Sequence, residues 1–243
     1  MIEYKSISLA DQVYEKLETS ILNGTYQKGE YLSENRLVNE LGVSRTPIRE
    51  ALNRLEYEKL IKVTPNGNMV VGISIKDVSD LFEIKRRIEL LATRWAASNI
   101  GDEGLAQLKA IVDQQEYFAQ KGDAIKVRDL DTEFHDLIYT WCGSPMMEGI
   151  LSPIHHKLMK YRKASLEIED RIMDSVQEHK AIYEALANHD RDKVDALMMV
   201  HIEHAFNCIL QVNQLEMEKK KAGEEAGFDV LNGLHDENEE GRN

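Results

Sequence analysis

The stretch Ser33 to Leu55, SENRLVNELGVSRTPIREALNRL, admits few folds, because it joins two short amphipathic helices through a turn and sorts apolar from cationic residues. In its second half Ile48, Ala51, Leu52 and Leu55 fall at i, i+3, i+4 and i+7, one buried stripe of a 3.6-residue period. Arg45, Arg49 and Asn53 fall at i, i+4 and i+8 on a separate, solvent-facing stripe. Ser44 or Thr46 supplies an N-cap, and Pro47 sits in the first turn, where a missing N–H does no harm. Gly42 gives the turn, while Leu37, Leu41 and Val43 form an apolar underside. Guanidinium groups pair with guanine or phosphate, and an Asn side chain pairs with adenine, so the exposed face suits a DNA major groove. The same pattern also fits an amphipathic hairpin whose arginines are merely solvated.

The charge balance bears on that choice. The 243-residue chain carries a net charge of −13, which alone disfavours nucleic acid. Residues 1–75 hold nine Lys and Arg against ten Asp and Glu, leaving 21 against 33 for the rest, so the acidity lies in the second part. Within 44–55 three arginines face one acid, Glu50. No stretch has the apolar length that spans a membrane, and the N-terminus lacks a signal-peptide core, which places the chain in the cytoplasm. Cys142 and Cys208 are too few for a disulfide framework and suit small buried hydrophobes.

Around the motif, Ser8 to Asn23 has helical spacing at Ala10, Val13, Tyr14, Leu17 and Ile21, with Gly24 as its stop. A β-prone piece at Tyr31 and Leu32 precedes the motif. Leu60–Thr64 and Met69–Ile73 predict a hairpin turning at Pro65-Asn66-Gly67, too short to stand without the helices. The wording VSRTPIREAL, with this flanking helix and hairpin, closely resembles the winged helix-turn-helix of the GntR family of bacterial transcription regulators. The resemblance implies a homodimer on double-stranded operator DNA, with Ser44, Arg45, Thr46, Arg49, Asn53, Asn35 and the wing's Gly67 at the interface. Family members often carry Arg where Asn35 stands and Gly where Lys59 follows the second helix. Both departures bear on local fit.

From a junction at Ile75 to Asp77 the chain predicts six amphipathic helices, at 76–99, 102–121, 123–142, 145–164, 170–188 and 190–216. The breaks fall at Gly101, Gly122, Gly143 to Pro145, 167–170 and 188–190, and Pro153 kinks the fourth. Short connections imply an antiparallel bundle, so the fold class is mainly α. The domains are 1–75, 76–215 and an acidic tail, 216–243, with too little apolar content to order.

Inside the bundle Asp131 and His135 stand at i, i+4 on one helix face. His179 and His201 are also turned inward on later helices. Three imidazoles and a carboxylate can converge on one cation; each also makes sense alone as a hydrogen-bonded core residue. The order DTEFH, EH, MMVHI is similar to that of the ligand-binding FCD domain of the FadR-like branch, and six helices resemble its VanR-like subgroup. That likeness implies a divalent metal, zinc or nickel, on Asp131, His135, His179 and His201. It implies a small carboxylate effector beside the metal, anchored by Lys85, Arg86 or Arg162. His155, His156, His189 and His204 have no place in the pattern and are surface or supporting residues, His204 the nearest neighbour. The FCD domain's leading arginine is here Lys85, and its Ser-Gly-Asn is Cys142-Gly143-Ser144. Two other readings are a metal-dependent hydrolase, against which stands the lack of HExxH or a nucleophile motif, and a constitutive DNA binder with a purely structural metal.

Overall fold

The computed structural model describes residues 8–166 and 169–236, with side chains described outside 160–170 and, from 213 on, only at Gln214. The chain forms two compact units, one of residues 1–81 with 156–161 and one of 82–155 with 162–243.

In the first unit α1 (Leu9–Leu22) starts at Ser8, whose hydroxyl accepts the Asp11 N–H. Helix α2 (Glu34–Leu41) starts at Ser33 in the same way, on the Arg36 N–H, and stops at Gly42 with φ 68°, a left-handed turn that glycine adopts at no steric cost. Helix α3 (Arg45–Tyr57) follows, with Ser44 rather than Thr46 at its N-cap. The expected stripe is its inner face: Ile48, Ala51, Leu52 and Leu55 are buried against Leu17 and Leu37.

The end of α3 is a Schellman turn, in which the Lys59 N–H reaches the Glu56 carbonyl and the Leu60 N–H the Leu55 carbonyl. Lys59 takes φ 64°, so a lysine carries the left-handed strain that a glycine would avoid.

The wing has three strands rather than two: β1 (Tyr31–Leu32), β2 (Ile61–Thr64) and β3 (Gly67–Val70), in the antiparallel order β1-β3-β2. The third strand begins two residues earlier than its apolar pattern suggests. Thr64 pairs with Gly67, so the turn is Pro65-Asn66, and β3 ends before Gly72, which has φ 66°.

Among the described residues six helices follow: α4 (Ile75–Asn99), α5 (Asp102–Gln120), α6 (Ala124–Trp141), α7 (Pro145–Leu166), α8 (Glu169–Ala187) and α9 (Arg191–Asp236). Pro153 lies within α7. The two compact units divide within α4, after Leu81, and α4 itself begins at Ile75.

The backbone of α9 runs helical to Asp236, past the start of the tail expected from 216. Glu, Lys and Ala favour helix without needing an apolar face to bury, which composition arguments about cores overlook. Residues 237–243 of that tail lie outside the described residues.

In the second unit α5 packs on α6 and α8, and α8 on α9. Gly104 permits a close approach between α5 and α6: a Cβ there would stand 2.5 Å from the Trp141 ring.

Candidate metal centre and nucleic-acid face

The four inward residues on α6, α8 and α9 meet. Asp131, His135, His179 and His201 are all buried and offer ligand atoms within 4.8 Å of one another. Bonds of about 2.0–2.2 Å to a central ion place donors roughly 3–4 Å apart, so the spacing fits a first-row divalent metal.

The neighbours of the three imidazoles decide how the rings present themselves. His135 Nδ1 lies 2.7 Å from Glu89 Oε1, His179 Nδ1 2.9 Å from Gln115 Oε1, and His201 Nδ1 2.7 Å from Glu178 Oε2. Each acceptor fixes the proton on Nδ1 and turns Nε2 toward the cluster, the orientation that metal-bound histidines need. His135 Nε2 and His201 Nε2 then stand 3.2 Å apart. Two imidazole lone pairs at that distance call for a cation between them, either a proton on one ring or a metal ion.

Asp131 approaches His179 Nε2 through Oδ1, at 3.6 Å, and His155 Nε2 through Oδ2, at 3.3 Å. His155 is therefore a buried supporting residue. Its desolvation, with His135 beside it, lowers its pKa to about 3 and keeps it neutral.

Glu89 is fully buried and accepts from Lys85, His135 and Tyr139, the last at 2.6 Å. Burial opposes its charge, yet the Lys85 ammonium and His135 hold its carboxyl well below the usual range. Burial and then the Glu89 carboxylate push the Tyr139 phenol well above its usual value.

Glu178 is the hub on the other side, bonded to His201, to exposed His204 at 2.8 Å, and to both terminal nitrogens of Arg171 at 2.7 and 2.9 Å. Despite the burial, His201 and Arg171 hold its pKa at about 2.

Of the three cations assigned to an effector, Lys85 is spent on Glu89, one turn along α4, and Arg86 on Glu83 at the surface. The side chain of Arg162 lies outside the described residues. An open groove of about 520 Å³, lined in part by Gln107, Ile111, Asp136 and Leu137, faces away from Asp131 and His135 on α6.

Sequence reasoning missed Glu89 and Gln115, although each left a trace. Glu89 interrupts the buried stripe Phe82, Ala92, Ala96 of α4, and Gln115 the stripe Leu108, Val112, Ala119 of α5.

In the first unit Ser44, Arg45, Thr46, Arg49 and Asn53 are all exposed on α3. No acid sits in its first turn, and Ser44 makes no side-chain cap bond, so the turn's N–H groups and the Ser44 hydroxyl face outward, an arrangement that suits phosphate. Arg45 donates to Asn35 Oδ1 at 3.0 Å, and Arg49 pairs with Glu34 at 2.9 Å. Arg54 serves the fold instead, stacked 3.6 Å over the Tyr14 ring and bonded to Asp11 and Glu58. Arg36, beside Asn35, is likewise held by Glu30 and Glu40. At the wing Gly67 caps a turn in which Thr64 Oγ1 donates to its carbonyl, and Lys62 is exposed on β2.

Comparison with known proteins matches these two units. The gntR family of bacterial regulatory proteins matches residues 9–71, and the FCD domain family residues 80–204. The chain belongs to the gntR family. Among relatives, the gluconate operon transcriptional repressor of Bacillus licheniformis is 30% identical over 207 residues, 80% of this chain and 80% of that protein. The Nta operon transcriptional regulator of Aminobacter aminovorans is 30% identical over 191 residues, 77% of this chain and 88% of the relative. Among solved structures, E. coli McbR/YncC superposes with a TM-score of 0.72 at 21% identity, over 85% of this chain and 99% of that one, a likeness of fold. This GntR regulator is thus a DNA-binding transcription regulator whose FCD domain holds a buried Asp and His cluster that could take a metal. Among the described residues no helix is long and apolar enough to cross a membrane.

Proposed function

We propose that this regulator is a cytoplasmic repressor that binds a two-fold operator as a homodimer and releases it when a small carboxylate occupies the second unit. The observation that carries the sensing half is the set of three imidazoles, each with Nδ1 fixed by a different acceptor and Nε2 turned toward Asp131. Such a donor set suits zinc or nickel, held by Asp131, His135, His179 and His201. The bound metal supplies a net positive anchor for an anion in an otherwise dry helical interior.

Around that anchor the chain's own residues have distinct tasks. Glu89, Gln115 and Glu178 hold the rings, His155 steadies Asp131, and Lys85 holds Glu89 in place. On the DNA side Arg45, Arg49 and Asn53 read base edges, while Ser44, Thr46, Asn35 and the wing at Gly67 position the backbone. Arg49 must exchange Glu34 for DNA, which trims affinity for nonspecific phosphate.

A relative that represses a gluconate operon supports the sign, and also sugar acids as the first effectors to try. The test is a thermal-shift screen of sugar acids, hydroxy acids and dicarboxylates on metal-loaded protein, followed by operator titration with each hit. A sensor gains melting temperature with an acid and loses operator affinity, with a coupling of about 1–3 kcal/mol. Turnover of the hit supports the hydrolase reading, and equal binding by Asp131→Ala removes the metal as anchor.

A further inference from the structure

Helix α7 takes part in both units: its residues 145–155 belong to the second and 156–161 to the first. At the end of the former stretch stands His155, buried, with Nε2 3.3 Å from Asp131 Oδ2 and its ring centre 4.4 Å from that of His135. Asp131 thus divides its oxygens, Oδ1 toward His179 and Oδ2 toward α7. Two residues on, within the first unit, Lys157 Nζ reaches Glu58 Oε2 at 2.8 Å. Glu58 is the C-cap of α3, and its carboxylate also accepts from the Tyr14 hydroxyl at 2.8 Å and from Arg54 at 3.4 Å. The side chains of Lys157 and Glu58 are 17% and 22% exposed, more sheltered than the pairs of Arg36 and Arg49, so solvent screens this grip less.

Helix α7 has a weak point just before His155. Pro153 offers no N–H to the carbonyl of Gly149, four residues back, so one bond of the helix ladder is missing. Both residues are exposed, and a Cβ on Gly149 would meet nothing within 4 Å, so packing gives no reason for a glycine there. A helix bends most readily at such a place. The stretch beyond it takes its direction from what grips it, Asp131 at His155 and Glu58 at Lys157.

We propose that Lys157 is the positioning residue through which the buried centre acts on α3. With a divalent ion at the centre Asp131 is held, Asp131 holds His155, and the two-residue step to Lys157 holds the C-cap of α3. This rests on the metal reading above and adds the route from that centre to operator DNA. The loaded form presents α3 with less freedom left to lose, so it binds operator tighter. By reciprocity, operator-bound protein holds the ion tighter by the same factor.

The test compares operator Kd by anisotropy for the full chain stripped of metal by a chelator and loaded with zinc, with far-UV helix content and zinc stoichiometry as controls. Wild type is expected to bind operator about 5-fold tighter, or more, with zinc. Lys157→Met keeps the aliphatic stem and loses the ammonium; it is expected to hold the wild-type zinc content and to bind operator equally with and without the ion. Lys157→Arg, which can still pair with Glu58, is expected to recover most of the response. Zinc affinity, read by chelator competition, is expected to rise on operator DNA in wild type and not in Lys157→Met. A Lys157→Met protein that answers zinc as wild type does, or that loses operator binding in both states, overturns the route and leaves the metal site standing. So does a wild type that binds zinc with no change in operator affinity. A wild type that takes up no zinc overturns the route and the metal reading together.

Discussion

On α3 the guanidinium groups of Arg45 and Arg49 lie in solvent, each with one loosely competing partner on α2; in the helical unit the imidazoles of His135, His179 and His201 are buried, each fixed by a dedicated acceptor. The first arrangement keeps long side chains adaptable until a groove arrives, and screening makes their present ion pairs worth little. The second has met its ordering cost during folding, so a small ion finds donors already aimed. A regulator that reads a long polymer and a small ligand places adaptability at one site and preorganisation at the other.

The hardest blow to that contrast is the loss of a buried donor. His135→Ala is expected to take bound divalent metal from about one per chain to none by elemental analysis, and to remove the metal-dependent part of the melting temperature. The stabilisation behind that shift is about 2.7 kcal/mol when free metal is 100 times its Kd. Full occupancy in this variant would place the ligands elsewhere. On the adaptable side, Arg45→Ala or Arg49→Ala is expected to cost about 1–3 kcal/mol of operator binding by anisotropy and to relax one base position. A loss equal on every sequence would make that arginine a phosphate contact. Gln115→Leu sharpens the contrast, because it leaves the ligands and removes only the hold on His179. Metal affinity is expected to fall 10- to 100-fold with operator binding unchanged at saturating metal, read by competition with a chelator. The smallest effect lies outside both sites: Lys59→Gly relieves the left-handed strain after α3 and is expected to raise stability by about 1 kcal/mol in urea titrations. An unchanged or lower midpoint would mean that the lysine stem packs usefully.

The same contrast explains what the sequence could tell. Asp131, His135 and the α3 stripe were legible because their meaning lies in spacings of three and four residues within one helix. The partner of His135 stands 46 residues away and that of His179 64 residues away, and no local period encodes such distances. The readable trace was a polar residue where an apolar stripe required otherwise, as at Glu89 and Gln115. At Lys85 the reading toward a ligand did not weigh Glu89, one turn on, which the lysine meets in the structure. The β-prone piece at Tyr31 and Leu32 was legible but its place in the sheet was not, because two residues gain their order from Met69 and Asn68. The length of α9 was not legible because low apolar content speaks against a core, not against a helix.

One missing atom has reach beyond its own turn. Gly104 lets α5 lie flush with the indole of Trp141, and Gln115 sits eleven residues along the same rod, roughly 16 Å away at 1.5 Å per residue. A methyl group at position 104 would act as a wedge under one end of a lever whose other end carries the oxygen that aims His179. The tolerance of the buried centre is thereby set in part by a contact three turns away, where a search for ligands would have no cause to look.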